Sequence, residues 1–246
     1  MKKRPLVLSI AGFDPTGGAG ILADIKTFEQ TKVLGMGAIT ANTIQTENKF
    51  VKSNWVEETV FFEQLEQLLQ DYKFSVVKIG LIPNLEFLLQ IISHPKLEQT
   101  KIIWDPILST STGFDFKHNL EILPVVLPKI DLITPNWNEI KKLSSEKNAQ
   151  AGAQKLAQYT NVYLKGGHSD IEIGKDYLFS TKGKVYPFKN RGKRVTEKHG
   201  SGCVFSSALT AYLALGFPII KACLKSKKYT TNFLESNTTQ LGYHKF

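Results

Sequence analysis

Apolar positions along the chain alternate between two patterns. Short, nearly unbroken apolar runs stand at 5–12 (PLVLSIAG), 36–45 (MGAITANTIQ), 75–80 (SVVKIG), 101–108 (KIIWDPIL), 131–136 (DLITPN) and 161–167 (NVYLKGG). Runs of this length and continuity predict strands buried on both faces. Between them the apolar residues recur at helical spacing. The clearest case is VEETVFFEQLEQLLQDY, where Phe61, Leu65, Leu68, Leu69 and Tyr72 mark one face. Further helices are predicted at 18–31, 83–93, 136–144 and 148–160. DYLFS and KVYPFK, joined by TKGK, predict a hairpin over 176–189, and helices at about 200–216 and 218–236 close the chain. Strand–helix alternation predicts an α/β fold with a mainly parallel sheet and helices on both faces. No Pro-, Gly- or Ser-rich linker divides residues 1–246, so a single domain is expected.

At 246 residues, 42% of them hydrophobic, the chain can bury a sizeable core. No apolar run approaches the roughly 18 residues of a membrane span. The opening MKKRPLVLSIAGFD imitates a secretory leader, but its apolar run is short, lacks a small-x-small cleavage site and meets Asp14 at once. A first buried strand is the better reading. Cys203 and Cys223, the only cysteines, are too few for a disulfide framework and fit a reducing cytoplasm. The formal charge of +9 raises the question of nucleic acid. Its densest clusters, 189–199 and 225–228, have no interleaved aromatic residues on which bases could stack, so solvated lysines and a phosphate-binding rim are expected instead.

In open α/β sheets ligands bind beyond the carboxyl ends of the strands. At those places stand GFDPTGGAG (12–20), Gln45, Asp105, Asn136 with Glu139 three residues on, and KGGH (165–168). GFDPTGGAG is not a P-loop, because Gly18 occupies the lysine position, and it lacks the dinucleotide fingerprint. Gly18 and Ala19 read either as a wall of a small-molecule pocket or as a tight strand-to-helix turn. Asp105 and Glu139 suit magnesium and its waters; the plainer reading makes them a loop aspartate and a first-turn glutamate favoured by the helix dipole. Lys165 could oppose a phosphate or simply be solvated. In KHGSGC, Gly200, Ser201 and Gly202 open a helix with little side-chain bulk over its free N–H groups, which makes an anion site. Cys203, on the first turn, is expected to have its thiol pKa lowered by the same field and to accept a proton from a substrate hydroxyl. The alternative is a small buried hydrophobe, the reading preferred for mid-helix Cys223. The His, Cys and carboxylate spacings match no standard zinc motif.

Taken together these segments resemble the hydroxymethylpyrimidine/phosphomethylpyrimidine kinases of thiamine biosynthesis, within the ribokinase-like superfamily. The resemblance runs nearly end to end, through LSIAGFDPTGGAGILADIKTF, AITANTIQTEN, VVKIGLI, WDPIL, LITPNWNEI, LKGGH and HGSGCVFSSALTAYLALG. The combination of GGAG with HGxGC is its most specific part. It implies a three-layer α/β/α fold with about eight central strands. It also implies ATP-dependent phosphorylation of 4-amino-5-hydroxymethyl-2-methylpyrimidine, and then of its monophosphate. Under the resemblance Gln45 reads the aminopyrimidine edge, Asp24 lies near the hydroxymethyl end, and Gly18 and Ala19 line the substrate. Gly200, Ser201 and Gly202 form the anion hole with Cys203 as base. Asp105 and Glu139 serve Mg2+, while Lys165, Asn136 and Lys227 face ATP. A homodimer is implied as well.

Several positions depart from the family pattern. Phe13 stands where serine or threonine is usual, Leu81 where methionine is common, Thr46-Glu47 in place of Asn-Thr, and Lys198 where threonine is frequent. STSTGFDF only loosely matches the loop after the DPV strand. The first three border the pyrimidine pocket, so a pyridoxal or pyridoxine kinase is the alternative enzyme. A non-catalytic pyrimidine-binding protein is the alternative outside catalysis.

Overall fold

Buried runs and amphipathic runs alternate in space as they do in sequence. The computed structural model describes residues 3–108, 119–168, 174–189 and 197–244. Among these the strands are β1 (Leu6–Phe13), β2 (Leu34–Thr46), β3 (Lys49–Trp55), β4 (Val76–Ile79), β5 (Lys101–Trp104), β6 (Leu132–Ile133), β7 (Asn161–Leu164), β8 (Asp176–Phe179) and β9 (Val185–Phe188). The helices are α1 (Gly20–Gln30), α2 (Glu58–Asp71), α3 (Leu85–Ile92), α4 (Leu123–Val126), α5 (Trp137–Ser144), α6 (Ala149–Leu156), α7 (Ser201–Ala214) and α8 (Ile219–Leu234). One sheet runs in the order β3-β2-β1-β4-β5-β6-β7-β8-β9. Its six central strands are parallel. β3 at one edge and the predicted hairpin β8–β9 at the other are antiparallel.

The described sheet has nine strands rather than about eight, and β3 is the one the pattern did not predict. Its residues KFVKSNW are exposed or half-buried throughout, so no apolar alternation marks it. Pairing with the long strand β2 holds it in place. β5, β6 and β7 are shorter than predicted. The chain leaves the sheet at Asp105, whose carbonyl accepts the Ile107 N–H at 2.9 Å. β7 gives way to a short 3-10 turn at Gly166–His168. These early exits place Asp105, Thr134 and Lys165 together on the carboxyl edge of the sheet.

Alternate strand residues face opposite layers. Leu8, Ile10, Val77 and Ile79 pack against Phe61 and Leu65 of α2, Leu88 and Ile91 of α3, Ile140 of α5 and Leu156 of α6. Val7, Val76, Ile103 and Tyr163 pack on the other face against Phe28 of α1, Phe205 and Leu209 of α7 and Cys223 of α8. The result is the three-layer α/β/α arrangement, and Cys223 is the small buried hydrophobe expected of it. Ser9 and Lys78, register partners on β1 and β4, alternate with the first set and so lie beneath the second layer. A fully buried lysine there needs a partner. No described helix is long and apolar enough to cross a membrane.

Candidate active site

Asp14 organises the first glycine loop. Its carboxylate accepts the N–H groups of Thr16 and Ala19, both at 2.9 Å, while Thr16 Oγ1 accepts the Gly18 N–H at 3.1 Å. The loop donors of Gly18 and Ala19 are thus consumed internally. These residues therefore offer a bare wall rather than N–H donors. Asp14 also meets His199 Nε2 at 2.8 Å, tying this loop to the HGSG turn. Burial opposes its ionisation, yet His199 and the loop N–H groups outweigh burial and hold the carboxyl below its usual range. Gly200 (φ +72°) rests against the Gly18 carbonyl and would place any Cβ within 2.7 Å of Ala19 Cα. Only glycine fits this left-handed, tightly covered position.

Gly200 is the N-cap of α7, and Val204 donates to its carbonyl at 2.9 Å. The N–H groups of Gly202 and Cys203 have no acceptor among the described residues. A Cβ on Gly202 would lie 3.2 Å from Lys165 Nζ, so the missing side chain is what lets the ammonium approach the helix start. Free N–H groups, the positive end of the helix and a lysine therefore converge on one small space, as an anion site requires. The C-terminal segment buttresses the turn. His199 N–H donates to Gln240 O at 3.0 Å, and Lys198 Nζ donates to the carbonyls of Asn237 and Thr239.

Lys165 sits between two carboxylates, 2.8 Å from Asp105 Oδ1 and 3.9 Å from Glu139 Oε2. Asp105 also accepts Thr134 Oγ1 at 3.0 Å and Ser206 Oγ at 3.1 Å. Burial opposes its charge, but the ammonium groups of Lys165 and Lys78 outweigh burial and keep it ionised. Glu139 fares differently. It closes a capping box with Asn136, accepting the Asn136 N–H at 2.6 Å while Asn136 Oδ1 accepts the Glu139 N–H at 2.9 Å. Burial, only partly offset by Lys165, pushes its carboxyl up to about 7.

That shift makes stability depend on pH. The folded chain binds the Glu139 proton more tightly than the unfolded chain does. The resulting stability is fully present below about pH 4.5 and is lost as pH rises through about 7. In chelator, Tm is expected to fall by several degrees from pH 5 to 7.5, and Glu139→Gln to flatten that slope. Parallel Tm–pH curves for the two proteins would contradict this.

Cys203, on the first turn of α7, is 7% exposed, and its thiol feels the charges of Lys78, Asp105 and Asp24. Burial pushes its thiol up to about 11, with Asp105 and Asp24 adding to the rise and Lys78 and the Gly20 N–H opposing it. The lowered pKa expected from the helix field is therefore corrected: a helix start contributes at most about 2 kcal/mol, less than desolvation and two carboxylates. The same region corrects Asp24. Its oxygens accept Lys78 Nζ at 2.7 and 3.0 Å, Ser9 Oγ at 2.5 Å and Ser207 Oγ at 2.5 Å, and the side chain is fully buried. A carboxylate has about four acceptor positions, so Asp24 has none left for a hydroxymethyl group. It joins α1 to β1, β4 and α7.

Lys227 is also placed differently from expectation. Its ammonium donates to Asp176 Oδ2 at 2.7 Å and to Gly174 O at 2.8 Å. Asp176 in turn accepts the Gly166 N–H and the Tyr163 hydroxyl, both at 2.7 Å. Lys227 thereby braces the loop after Lys165, and its charge is already matched within the fold. Gln45 is half-buried beside the β-bulge between Ile44 and Gln45 on β2, with its amide not engaged by a described side chain. Leu81 packs against Gly12, whose Cβ would lie 2.9 Å from Leu81 Cδ2. The loop 109–118 lies outside the described residues. Lys78, Ser206 and Ser207 were not singled out from sequence. A lysine inside the apolar run SVVKIG was the available signal for the first.

Comparison with known proteins gives the family and the fold. The sequence profile of the phosphomethylpyrimidine kinase family matches residues 14–246. A hydroxymethylpyrimidine/phosphomethylpyrimidine kinase of Staphylococcus aureus strain Mu50 is 35% identical, the match covering 98% of this chain and 92% of that protein. The crystal structure of phosphomethylpyrimidine kinase from Clostridium difficile 630 superposes with a TM-score of 0.77 at 30% identity, covering 93% of this chain and 99% of the other. A Staphylococcus aureus pyridoxal kinase in complex with AMP-PCP gives 0.83 at 26% identity, covering 96% and 89%. By profile, by identity over nearly its whole length and by fold, the chain belongs to the phosphomethylpyrimidine kinase family.

Proposed function

We propose that the protein transfers the terminal phosphoryl group of ATP to the hydroxymethyl group of 4-amino-5-hydroxymethyl-2-methylpyrimidine and then to the resulting monophosphate. The observation that carries this reading is the meeting of Lys165 with the open start of α7, where Gly202 leaves room for the ammonium and two N–H groups lack acceptors among the described residues. Such a site stabilises the charge on a migrating phosphoryl group. Cys203, adjoining those donors, accepts the hydroxyl proton. Its high affinity for that proton makes the rare thiolate a strong base. Gln45 offers a carboxamide able both to donate to and accept from the aminopyrimidine edge. Asn136 orders the α5 start beside Lys165.

Asp105 and Glu139 are the residues that would hold magnesium. No group of three or more His, Cys, Asp or Glu that could by itself hold a metal ion exists among the described residues. Two carboxylates suit a cation that keeps several waters and takes its remaining ligands from phosphate. When bound, magnesium neutralises charge on the phosphate oxygens. The same reading carries a homodimer and a cytoplasmic setting, the latter supported by two free thiols.

The test is purified protein with ATP, Mg2+ and a panel of the pyrimidine alcohol, its monophosphate, pyridoxal and pyridoxine, followed by phosphorus NMR. The pyrimidine is expected to give mono- and then diphosphate. Turnover of pyridoxal alone would move the protein to the other vitamin kinase class, and tight pyrimidine binding without ATP consumption would make it a binding protein.

A further inference from the structure

We propose that Ser206 and Ser207 are positioning residues that fix the rotation of α7 about its own axis and thereby place Cys203. The inference rests on the reading of Cys203 as the proton acceptor. α7 is buried on every side from Cys203 to Ala211. Burial on every side means that the apolar pattern of α7 does not by itself mark one inward face. Its buried hydroxyls add directional restraints to those of packing.

Among the described residues, the side chains of α7 that are tied to other elements are those of these two serines and of Cys203 itself, whose sulfur faces the Gly20 N–H of α1. Ser206 Oγ shares its one proton between Asp105 Oδ2, beyond β5, and the Cys203 carbonyl of its own helix, both at 3.1 Å. Ser207 Oγ donates to Asp24 Oδ1 at 2.5 Å, on α1. Thr210, also buried, bonds only to the Ser206 carbonyl of its own helix. Adjacent residues lie about 100° apart around a helix, so the two tethers restrain rotation in both senses. Both anchors are rigid: Asp105 is held by Lys165 and Thr134, and Asp24 by Lys78 and Ser9.

Cys203 precedes Ser206 by three residues and Ser207 by four, on the same face one turn earlier. A rotation of about 15° would swing a side-chain tip, about 5 Å from the axis, by about 1.3 Å. Displacement of that size at a reacting centre can lower a rate by about 100-fold.

The experiment compares wild type, Ser206→Ala/Ser207→Ala and the control Thr210→Val, at temperatures well below each Tm. It reads single-turnover phosphoryl transfer to the pyrimidine alcohol, ADP affinity, and iodoacetamide alkylation of Cys203 by mass spectrometry without substrate. The double variant is expected to lose about 30- to 100-fold in transfer rate, to keep ADP affinity within about threefold, and to alkylate Cys203 at least about fivefold faster. Thr210→Val is expected to stay within about twofold of wild type in both rates. A double variant that transfers phosphate at the wild-type rate overturns the proposal. Should it fail to fold, each single variant is expected to lose about tenfold, and wild-type transfer by both overturns the proposal equally. Should wild type phosphorylate none of the alcohols, the functional reading has failed, and alkylation alone decides: an unchanged Cys203 rate overturns the placement by Ser206 and Ser207.

Discussion

Cys203→Ala is expected to lower kcat by about 10²- to 10⁴-fold while leaving ADP affinity within about threefold of wild type. The large loss follows from the position of the sulfur. It lies on the first turn of α7, within the electrostatic reach of Lys78, Asp105 and Asp24, beside the N–H groups at the open start of the helix. Under the proposed function, removing it takes away the proton acceptor and leaves the N–H groups proposed to hold phosphate intact. Lys165, the Gly200 cap and the free N–H groups of Gly202 and Cys203 all survive the change, because alanine retains the backbone N–H. The small effect on binding is therefore as diagnostic as the large effect on turnover. Calorimetry of ADP binding beside steady-state kinetics checks both. An unchanged kcat would exclude the residue as base, and a parallel collapse of ADP binding would show that it serves packing.

Lys78→Met is expected to reduce stability by about 3–5 kcal/mol, a fall in Tm of roughly 6–20 °C for a chain of this size. Lys78 and Asp24 are both fully buried, with their charged atoms 2.7 Å apart. Burial disfavours the lysine charge, but Asp24 outweighs it and lifts the ammonium above its ordinary range. Truncating one member leaves the carboxylate buried, still accepting from Ser9 and Ser207 but without a counter-charge. Adding Asp24→Asn to Lys78→Met is expected to recover part of the loss, because an amide carries no uncompensated charge. Thermal unfolding of the single and double variants checks the cycle. A single variant within about 2 °C of wild type would mean that the pair contributes less than about 1 kcal/mol, and that the buried lysine is retained for another reason.

These expectations separate what sequence could supply from what it could not. The alternating pattern was sufficient for the parallel sheet, because buried strands and amphipathic helices have different apolar periods. It was insufficient for β3, whose exposed residues leave no such trace. Asp105, Glu139 and Lys165 were legible because strand ends at one sheet edge must meet, and they do meet. Asp24 was misplaced for a reason local patterns cannot reveal: Ser9, Lys78 and Ser207 come from three separate elements and fill its acceptor positions. Lys227 was misplaced likewise, its partner Asp176 lying on β8. The thiol of Cys203 was legible as a first-turn residue on a positive helix end. Its raised proton affinity was not, because desolvation and the neighbouring carboxylates depend on tertiary packing.

The corrected proton affinity gives the functional reading a sharp signature. A base whose conjugate acid titrates near 11 is almost entirely protonated at neutral pH. The rate of a step that needs its deprotonated form then rises about tenfold for each pH unit below that value. Aspartate at position 203 would remain ionised across the same range and would impose no such rise.

The most direct measurement is the pH dependence of single-turnover phosphoryl transfer at saturating ATP and alcohol, for wild type and for Cys203→Asp. A wild-type rate climbing about tenfold per unit between pH 7 and 9, beside a flat profile in the aspartate variant, is the predicted result. Flat profiles in both proteins would contradict proton transfer to Cys203.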